Sequence, residues 1–76
     1  MKDMVNMVNN MKLEEFINHL KHKSITLTLC YEDGKHIFST TVGEYTHWIH
    51  KNDYSDMNID MITTTADGFI VYLEGE

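Results

Sequence analysis

The chain contains no arginine and no proline, and it has a single cysteine, Cys30. One cysteine excludes a disulfide within the chain, and a lone thiol is typical of a protein in a reducing compartment. No apolar run approaches the ~18 residues that a membrane span needs. The first ten residues also lack the apolar stretch of a signal peptide. We therefore expect a cytoplasmic protein without a membrane segment.

The charges are distributed unevenly along the 76 residues. Residues 1–42 contain five acidic residues and five lysines, whereas residues 43–76 contain seven acidic residues and one lysine, Lys51. The net charge of -6 therefore belongs to the second half. Phosphates repel such a surface, and cationic protein surfaces attract it. The pattern predicts a partner with a basic protein surface and no direct binding of nucleic acid.

The spacing of apolar residues predicts a helix near the N-terminus, at residues 12–22. Its apolar positions follow the i, i+3, i+4, i+7 pattern of an amphipathic helix. They are Leu13, Phe16, Ile17 and Leu20. The apolar residues that precede it fall on nearly the opposite helical face. Residues 1–10 are therefore expected to form a tail or an extra helical turn, and residues 11–76 a single domain.

Alternation of apolar and polar residues with period two predicts four strands. They cover residues 24–32, 35–42, 57–65 and 69–74. Asp-Gly turn signals at 33–34 and 67–68 join the strands into two hairpins. A second short helix is expected at residues 44–51, followed by a polar loop.

The register of the first hairpin depends on the length of its loop. A two-residue loop pairs Leu29 with Phe38, and a three-residue loop with Gly34 left-handed pairs Cys30 with His36. We favour the two-residue loop because it places Leu29 and Phe38 on one apolar face.

The predicted elements follow the order α-β-β-α-β-β, which defines an α+β fold. The two hairpins are expected to join into one four-stranded antiparallel sheet, and the N-terminal helix packs on it.

Histidine occurs as two H-x-x-H pairs, each within a predicted helix. The pairs are His19 with His22 and His47 with His50. Imidazoles at this spacing lie on adjacent helical turns, close enough to share a structural Zn²⁺ with a third ligand. The candidates for the third ligand are His36, Cys30, Asp53 and Asp56. Neither pair has the glutamate of H-E-x-x-H, which disfavours a hydrolytic zinc site, and exposed histidines without metal are the alternative.

No catalytic motif stands out, and we do not expect an enzyme. A reactive cysteine needs a cationic, partly exposed setting, and Cys30 has only His36 as a candidate neighbour. Asp53 and Asp56 are more typical of a solvated loop than of an acid–base pair. The four glycines are isolated, so the chain has no glycine-rich phosphate loop.

Three segments carry a resemblance to known proteins: the helix KLEEFINHL, the strand that leads into an Asp-Gly turn, and the closing hairpin YSDMNIDMITTTADGFIVYLEGE. Together they resemble short proteins encoded by phages and mobile elements of low-GC Gram-positive bacteria. Some small acidic phage proteins of this size are anti-CRISPR inhibitors. The resemblance covers residues 11–74 and implies the anti-CRISPR class without identifying a target. Our specific expectation is an inhibitor of a host defence nuclease, a type II CRISPR effector, in the bacterial cytoplasm.

In this interpretation the acidic second half forms the contact with the nuclease. Its carboxylates are electrostatic anchors around Tyr54, a residue type that is enriched at binding hot spots. The carboxylates are Glu44, Asp53, Asp56 and Asp60. Trp48 is expected to lie mainly in the core. The alternative is a zinc-binding structural or accessory phage protein that self-associates through Met4, Met7 and Met11.

Overall fold

The computed structural model describes residues 11–74, and their fold is of the predicted α+β class. Within this range the elements are α1 (Leu13–Asn18), β1 (Thr26–Tyr31), β2 (His36–Thr41), α2 (Val42–Tyr45), α3 (Lys51–Tyr54), β3 (Ile59–Thr64) and β4 (Gly68–Leu73). None of these helices is long and apolar enough to cross a membrane. The predictions on residues 1–10, including self-association through Met4 and Met7, lie outside the described residues.

The four strands form one sheet in the order β2-β1-β4-β3. Both hairpins are antiparallel, but the central strands β1 and β4 run parallel. The prediction of a purely antiparallel sheet is therefore wrong. The reason is the connection between the hairpins: residues 42–58 cross one face of the sheet and return the chain to the end where β2 began. Such a crossover makes β3 parallel to β2, and it therefore brings β4 parallel to β1.

The first hairpin combines the two registers that the sequence left open. Leu29 pairs with Phe38, as the two-residue loop requires, and Cys30 pairs with His36, as the three-residue loop requires. A β-bulge between these two pairs absorbs the extra residue. Gly34 has φ of 94°, the left-handed conformation that glycine adopts without steric cost.

The core lies between the three helices and one face of the sheet. Its fully buried side chains are Leu13, Leu27, Leu29, Ile59, Val71 and Leu73. Phe16 of α1 packs edge-on against Phe69 of β4, with ring centroids 5.3 Å apart. Because paired residues share a face, the pairs Leu27–Phe69 and Leu29–Val71 place these four side chains on the side that the helices cover.

Helix α1 ends at Asn18, four residues earlier than predicted. Glu15 Oε1 accepts a hydrogen bond from the Lys12 backbone N–H (2.9 Å) and fixes the start of the helix. At the other end, His19 Nδ1 lies 2.7 Å from the Glu15 carbonyl oxygen. That carbonyl would accept from the backbone N–H of His19 in a continued helix. The imidazole thus competes with the helical bond and favours termination.

The helix predicted at 44–51 is two one-turn helices, α2 and α3. The Thr46 hydroxyl donates a hydrogen bond to the Gly43 carbonyl (2.8 Å). The backbone hydrogen bonds that follow run from the N–H of residue i to the carbonyl of residue i-3, as in a 3₁₀ helix. The chain turns at Trp48, and a new helix begins at Lys51. The polar loop predicted after residue 51 is therefore partly helical.

Candidate protein-binding surface

Three aromatic side chains stack in one column on the helix side of the sheet. Phe38 of β2 and Trp48 have ring centroids 4.2 Å apart and nearly parallel planes (6°). Trp48 also stacks on Tyr54 of α3, with ring centroids 5.3 Å apart and planes at 10°. All three side chains are only half-buried. We call Phe38, Trp48 and Tyr54 the aromatic column.

Polar contacts at its border hold the column in place. The hydroxyls of Tyr31 and Tyr54 lie 3.5 Å apart, and this contact, with a smaller effect of burial, raises the pKa of Tyr54. His50 meets the Trp48 ring edge-on at 5.9 Å. The first contact joins α3 to β1, and the second lies within the turn that precedes α3.

A buried hydroxyl cluster fixes α2 against α3. The Tyr45 hydroxyl lies 2.7 Å from Ser55 Oγ, and Ser55 Oγ donates to the Lys51 carbonyl at 2.7 Å. Burial, followed by the carboxylate of Glu14, raises the pKa of Tyr45 against the opposing effect of the Ser55 hydrogen bond. Both side chains are buried with their polar atoms satisfied, so the turn that carries Trp48 is preorganised.

Ile49 projects from this turn with 85% of its surface exposed. The sequence pattern placed it with Tyr45 and Trp48 on one apolar helical stripe. The chain leaves the helix at Tyr45, so Tyr45 is buried, Trp48 is half-buried and Ile49 faces solvent. An exposed isoleucine beside half-buried aromatic rings forms an apolar centre of the kind that protein interfaces contain.

The predicted anchor residues lie in four elements of the fold. Asp53 and Tyr54 belong to α3, and Glu44, exposed in α2, precedes Trp48 by four residues. Asp56 is exposed in the turn after α3. Asp60 is half-buried on β3, the edge strand opposite β2. Asp53 therefore lies next to Tyr54 of the aromatic column, whereas Asp60 lies on the far edge of the sheet.

Few of these carboxylates have a cationic partner. Among residues 11–74, the one contact within 4.0 Å between a carboxylate and a basic side chain joins Asp53 to His50, at 3.4 Å. Both side chains are largely exposed (59% and 70%), so water and salt screen this contact and it neutralises little charge. Basic side chains within residues 11–74 therefore leave most of this negative charge unneutralised, and it can attract a cationic partner.

The histidine pairs do not have the helical geometry on which the zinc prediction was based. His19 caps the end of α1 and His22 lies beyond it, while His47 lies between α2 and α3 and His50 precedes α3. Among the described residues, no group of three or more His, Cys, Asp or Glu side chains is arranged to hold a metal ion.

Zinc binding stays a prediction with a direct test. A structural zinc ion stabilises the fold that binds it, so its removal by EDTA would lower the melting temperature. The measurement is a thermal melt followed by circular dichroism, with elemental analysis of the untreated protein. An unchanged melt together with absence of zinc would eliminate the prediction.

Cys30 and His36 are neighbours across β1 and β2. Cys30 is 7% exposed, and burial raises the pKa of its thiol, which disfavours the reactive thiolate. His36 Nε2 is engaged with Ser39 Oγ at 2.9 Å. The pair therefore lacks the activated arrangement of a nucleophile and its base.

A small cleft of about 90 Å³ lies between α1, α2 and α3, with Glu14 and Tyr45 on its walls. Sites for small molecules usually measure roughly 300–1,000 Å³. The cleft is thus much smaller than a typical ligand site.

Comparison with protein-family models, with curated proteins and with solved structures gives no match for this chain. The candidate surface must therefore be interpreted from its own chemistry. Sequence reasoning identified Tyr54 and Asp53, but it missed Phe38 and Ile49 as parts of the surface. Their proximity depends on the turn at Trp48, which leaves no periodic signal in the sequence.

Proposed function

We propose that the protein acts by binding, without catalysis, and that it uses the aromatic column with Ile49 and the nearby carboxylates to engage a basic protein surface. The observation that carries this proposal is an exposed isoleucine beside half-buried stacked aromatics, bordered by acids that have no lysine partner within residues 11–74. Interfaces commonly combine an apolar, aromatic centre with a polar rim.

The electrostatics support a cationic partner. A net charge of -6 on a small chain produces a field that reaches about 8–10 Å at physiological salt. Such a field accelerates the approach of a basic surface and orients it. Asp53 and Glu44 then lie within or next to the contact, while Asp56 and Asp60 contribute to the wider field.

The rigidity of the site supports binding rather than induced folding. The stacked rings and the Tyr45–Ser55 hydrogen bond hold the turn before a partner arrives, which lowers the entropy cost of association.

The resemblance to phage proteins suggests the class of partner. A CRISPR effector nuclease holds its guide–target heteroduplex in a positively charged channel, and an acidic protein that covers such a surface interferes with it. We therefore propose an inhibitor of a type II effector nuclease, active in the cytoplasm of the bacterial host.

The test is a cleavage assay with a purified, guide-loaded type II effector and increasing amounts of this protein. We expect inhibition that weakens as salt rises, because the contact is electrostatic. Asp53→Lys reverses a charge within the surface and is expected to weaken inhibition about tenfold.

Asp67→Lys is the matched control. It reverses one exposed charge in the turn between β3 and β4, near the start of β1, and is expected to change inhibition less than about twofold. Equal effects of the two variants would show that only the total charge matters and would remove the proposed surface. Absence of inhibition by the unmodified protein would reject the nuclease as partner.

A further inference from the structure

Strand β2 lies at one edge of the sheet, and its outer side pairs with no strand in the described part of the chain. The Val42 backbone N–H donates to the carbonyl of Ile25, just before β1, at 2.9 Å. Backbone groups alternate between the two sides of a strand, and the register with β1 is regular from Thr41 back to Phe38. The N–H groups of Thr41 and Ser39 therefore point away from the sheet.

The opposite edge, strand β3, is better protected. The residues before α1 pair with its start: the Ile59 N–H donates to the Met11 carbonyl at 2.9 Å, and Lys12 forms an antiparallel bridge with Asn58. Strand β3 also contains a β-bulge and a charged residue, Asp60. Bulges, charges and covering segments are the features that keep edge strands from pairing with other chains.

Strand β2 has few such features. Its six residues include no Asp, Glu, Lys or Pro, and its bulge at Ile37 lies before the regular part of the strand. An edge of this kind is a template for one more strand, because every second residue presents its backbone donor and acceptor outward. The backbone chemistry of β2 thus specifies an extended peptide segment as its occupant.

The open edge adjoins the aromatic column, because Phe38 belongs to both. The backbone groups of Phe38 face β1, where Leu29 is its partner. An antiparallel strand added to the edge would therefore meet Phe38 in a non-hydrogen-bonded pair, the kind in which opposite side chains lie closest. A partner that docks on the column is brought against β2 by the same contact.

Charge favours a basic segment over a second copy of the chain. Exposed acids near the two ends of β2 outnumber the lysines there; the acids are Glu32, Asp33 and Glu44, and the lysines are Lys23 and Lys35. Two copies paired at this edge would bring these acids, and two net charges of -6, close together. A basic segment meets attraction where a second copy meets repulsion.

We propose that β2 accepts an extended, basic segment of the partner as an additional strand of the sheet. The inference rests on the proposed function for the basic character of the partner, and it adds the mode of recognition. Backbone hydrogen bonds at Ser39 and Thr41 supply affinity, as in other complexes that add a strand to a sheet edge. Every second side chain of the added strand lies on the side of the aromatic column and supplies specificity.

The test is amide hydrogen exchange, measured by NMR on the full chain with a synthetic peptide of alternating arginine and valine, six residues long as β2 is. At a peptide concentration about ten times its Kd, exchange of the Ser39 and Thr41 amides is expected to slow about tenfold. The Thr64 amide points outward from β3, because the next N–H, of Thr65, donates to Gly68; its exchange rate should not change. A peptide of alternating glutamate and valine should protect none of these amides.

Proline variants locate the contact. Ser39→Pro removes an outward N–H, a change that edge strands tolerate, and is expected to weaken peptide binding and nuclease inhibition about tenfold through the lost hydrogen bond. Thr64→Pro makes the same change on the opposite edge, and Ser39→Ala removes the same hydroxyl but keeps the N–H. Each control should change binding less than about twofold. Circular dichroism establishes that the variants fold, and amide exchange in the unmodified protein decides the result if Ser39→Pro does not.

Exchange at Ser39 and Thr41 that the basic peptide leaves unchanged overturns the proposal, and equal protection by the acidic peptide overturns the basic occupant. Protection of these amides in the free protein also overturns it. Such protection indicates a second copy if it grows with protein concentration, and residues 1–10 of the same chain if it does not.

The two proposals fail in different ways. Inhibition of the nuclease that Ser39→Pro leaves intact rejects the added strand and retains the proposed function. A nuclease that the unmodified protein does not inhibit rejects the proposed function, and the exchange measured with the peptide then decides by itself whether β2 binds a basic strand.

Discussion

Gly68→Ala is expected to lower the free energy of unfolding by about 3 kcal/mol, because overpacking against an immobile neighbour has costs of this order. Gly68 lies beside Thr26 at the start of the parallel pair β1 and β4. A Cβ at residue 68 would overlap the carbonyl oxygen of Thr26 and lie 2.7 Å from its backbone nitrogen. Backbone atoms within a sheet cannot move aside as the end of a side chain does. The measurement is urea unfolding followed by circular dichroism.

Gly34→Ala is the matched control for this prediction. Gly34 has a positive φ but no atom within 4 Å of an added Cβ, so its substitution costs only backbone strain, roughly 1 kcal/mol. The comparison separates steric overlap from conformational strain. Equal losses in the two variants would mean that β1 and β4 do not approach as closely at Gly68 as the parallel pairing requires.

Trp48→Ala is expected to have the next largest effect and to lower the free energy of unfolding by about 2–3 kcal/mol. Truncation of a fully buried aromatic residue to alanine lowers the free energy of unfolding by about 3–5 kcal/mol. Trp48 is half-buried, so a smaller loss is expected. The substitution removes both stacking contacts, with Phe38 and with Tyr54, and so disconnects β2 from α3. If the proposed function is right, inhibition of the nuclease is lost as well, because Ile49 and Asp53 lose their support.

Two variants sharpen the result. Trp48→Phe keeps an aromatic ring that can stack on Phe38 and Tyr54 and should retain most of the stability. Ile49→Ala removes an 85% exposed side chain and should change the free energy of unfolding by less than about 0.5 kcal/mol, while it weakens partner binding. A Trp48→Ala variant as stable as Ile49→Ala would show that the aromatic column does not hold the turn.

The strands were the most predictable part of the fold. Each predicted strand matches an observed one with boundaries that differ by at most two residues, as β3 at Ile59–Thr64 does against the predicted 57–65. Period-two alternation is a direct consequence of a sheet with one buried face, so it appears in the sequence. The helices were less predictable because their ends depend on side-chain contacts such as His19 with Glu15 and Thr46 with Gly43.

The candidate surface was predictable only in part. Tyr54 and Asp53 were recognised from residue type and charge, which the sequence displays directly. Phe38 is ten residues from Trp48 along the chain, and its stacking on Trp48 requires the turn between α2 and α3. Ile49 was assigned to an apolar stripe because a continuous helix was expected there.

The amino-acid sequence by itself determined the α+β class, the four strands, the two Asp-Gly turns and the acidic second half, because all of these follow from local periodicity and composition. Only the tertiary structure decided that β1 and β4 run parallel and that Ile49 is exposed. These properties depend on how residues 42–58 cross the sheet. A crossover is set by packing between segments distant in the chain, and local patterns carry no record of it.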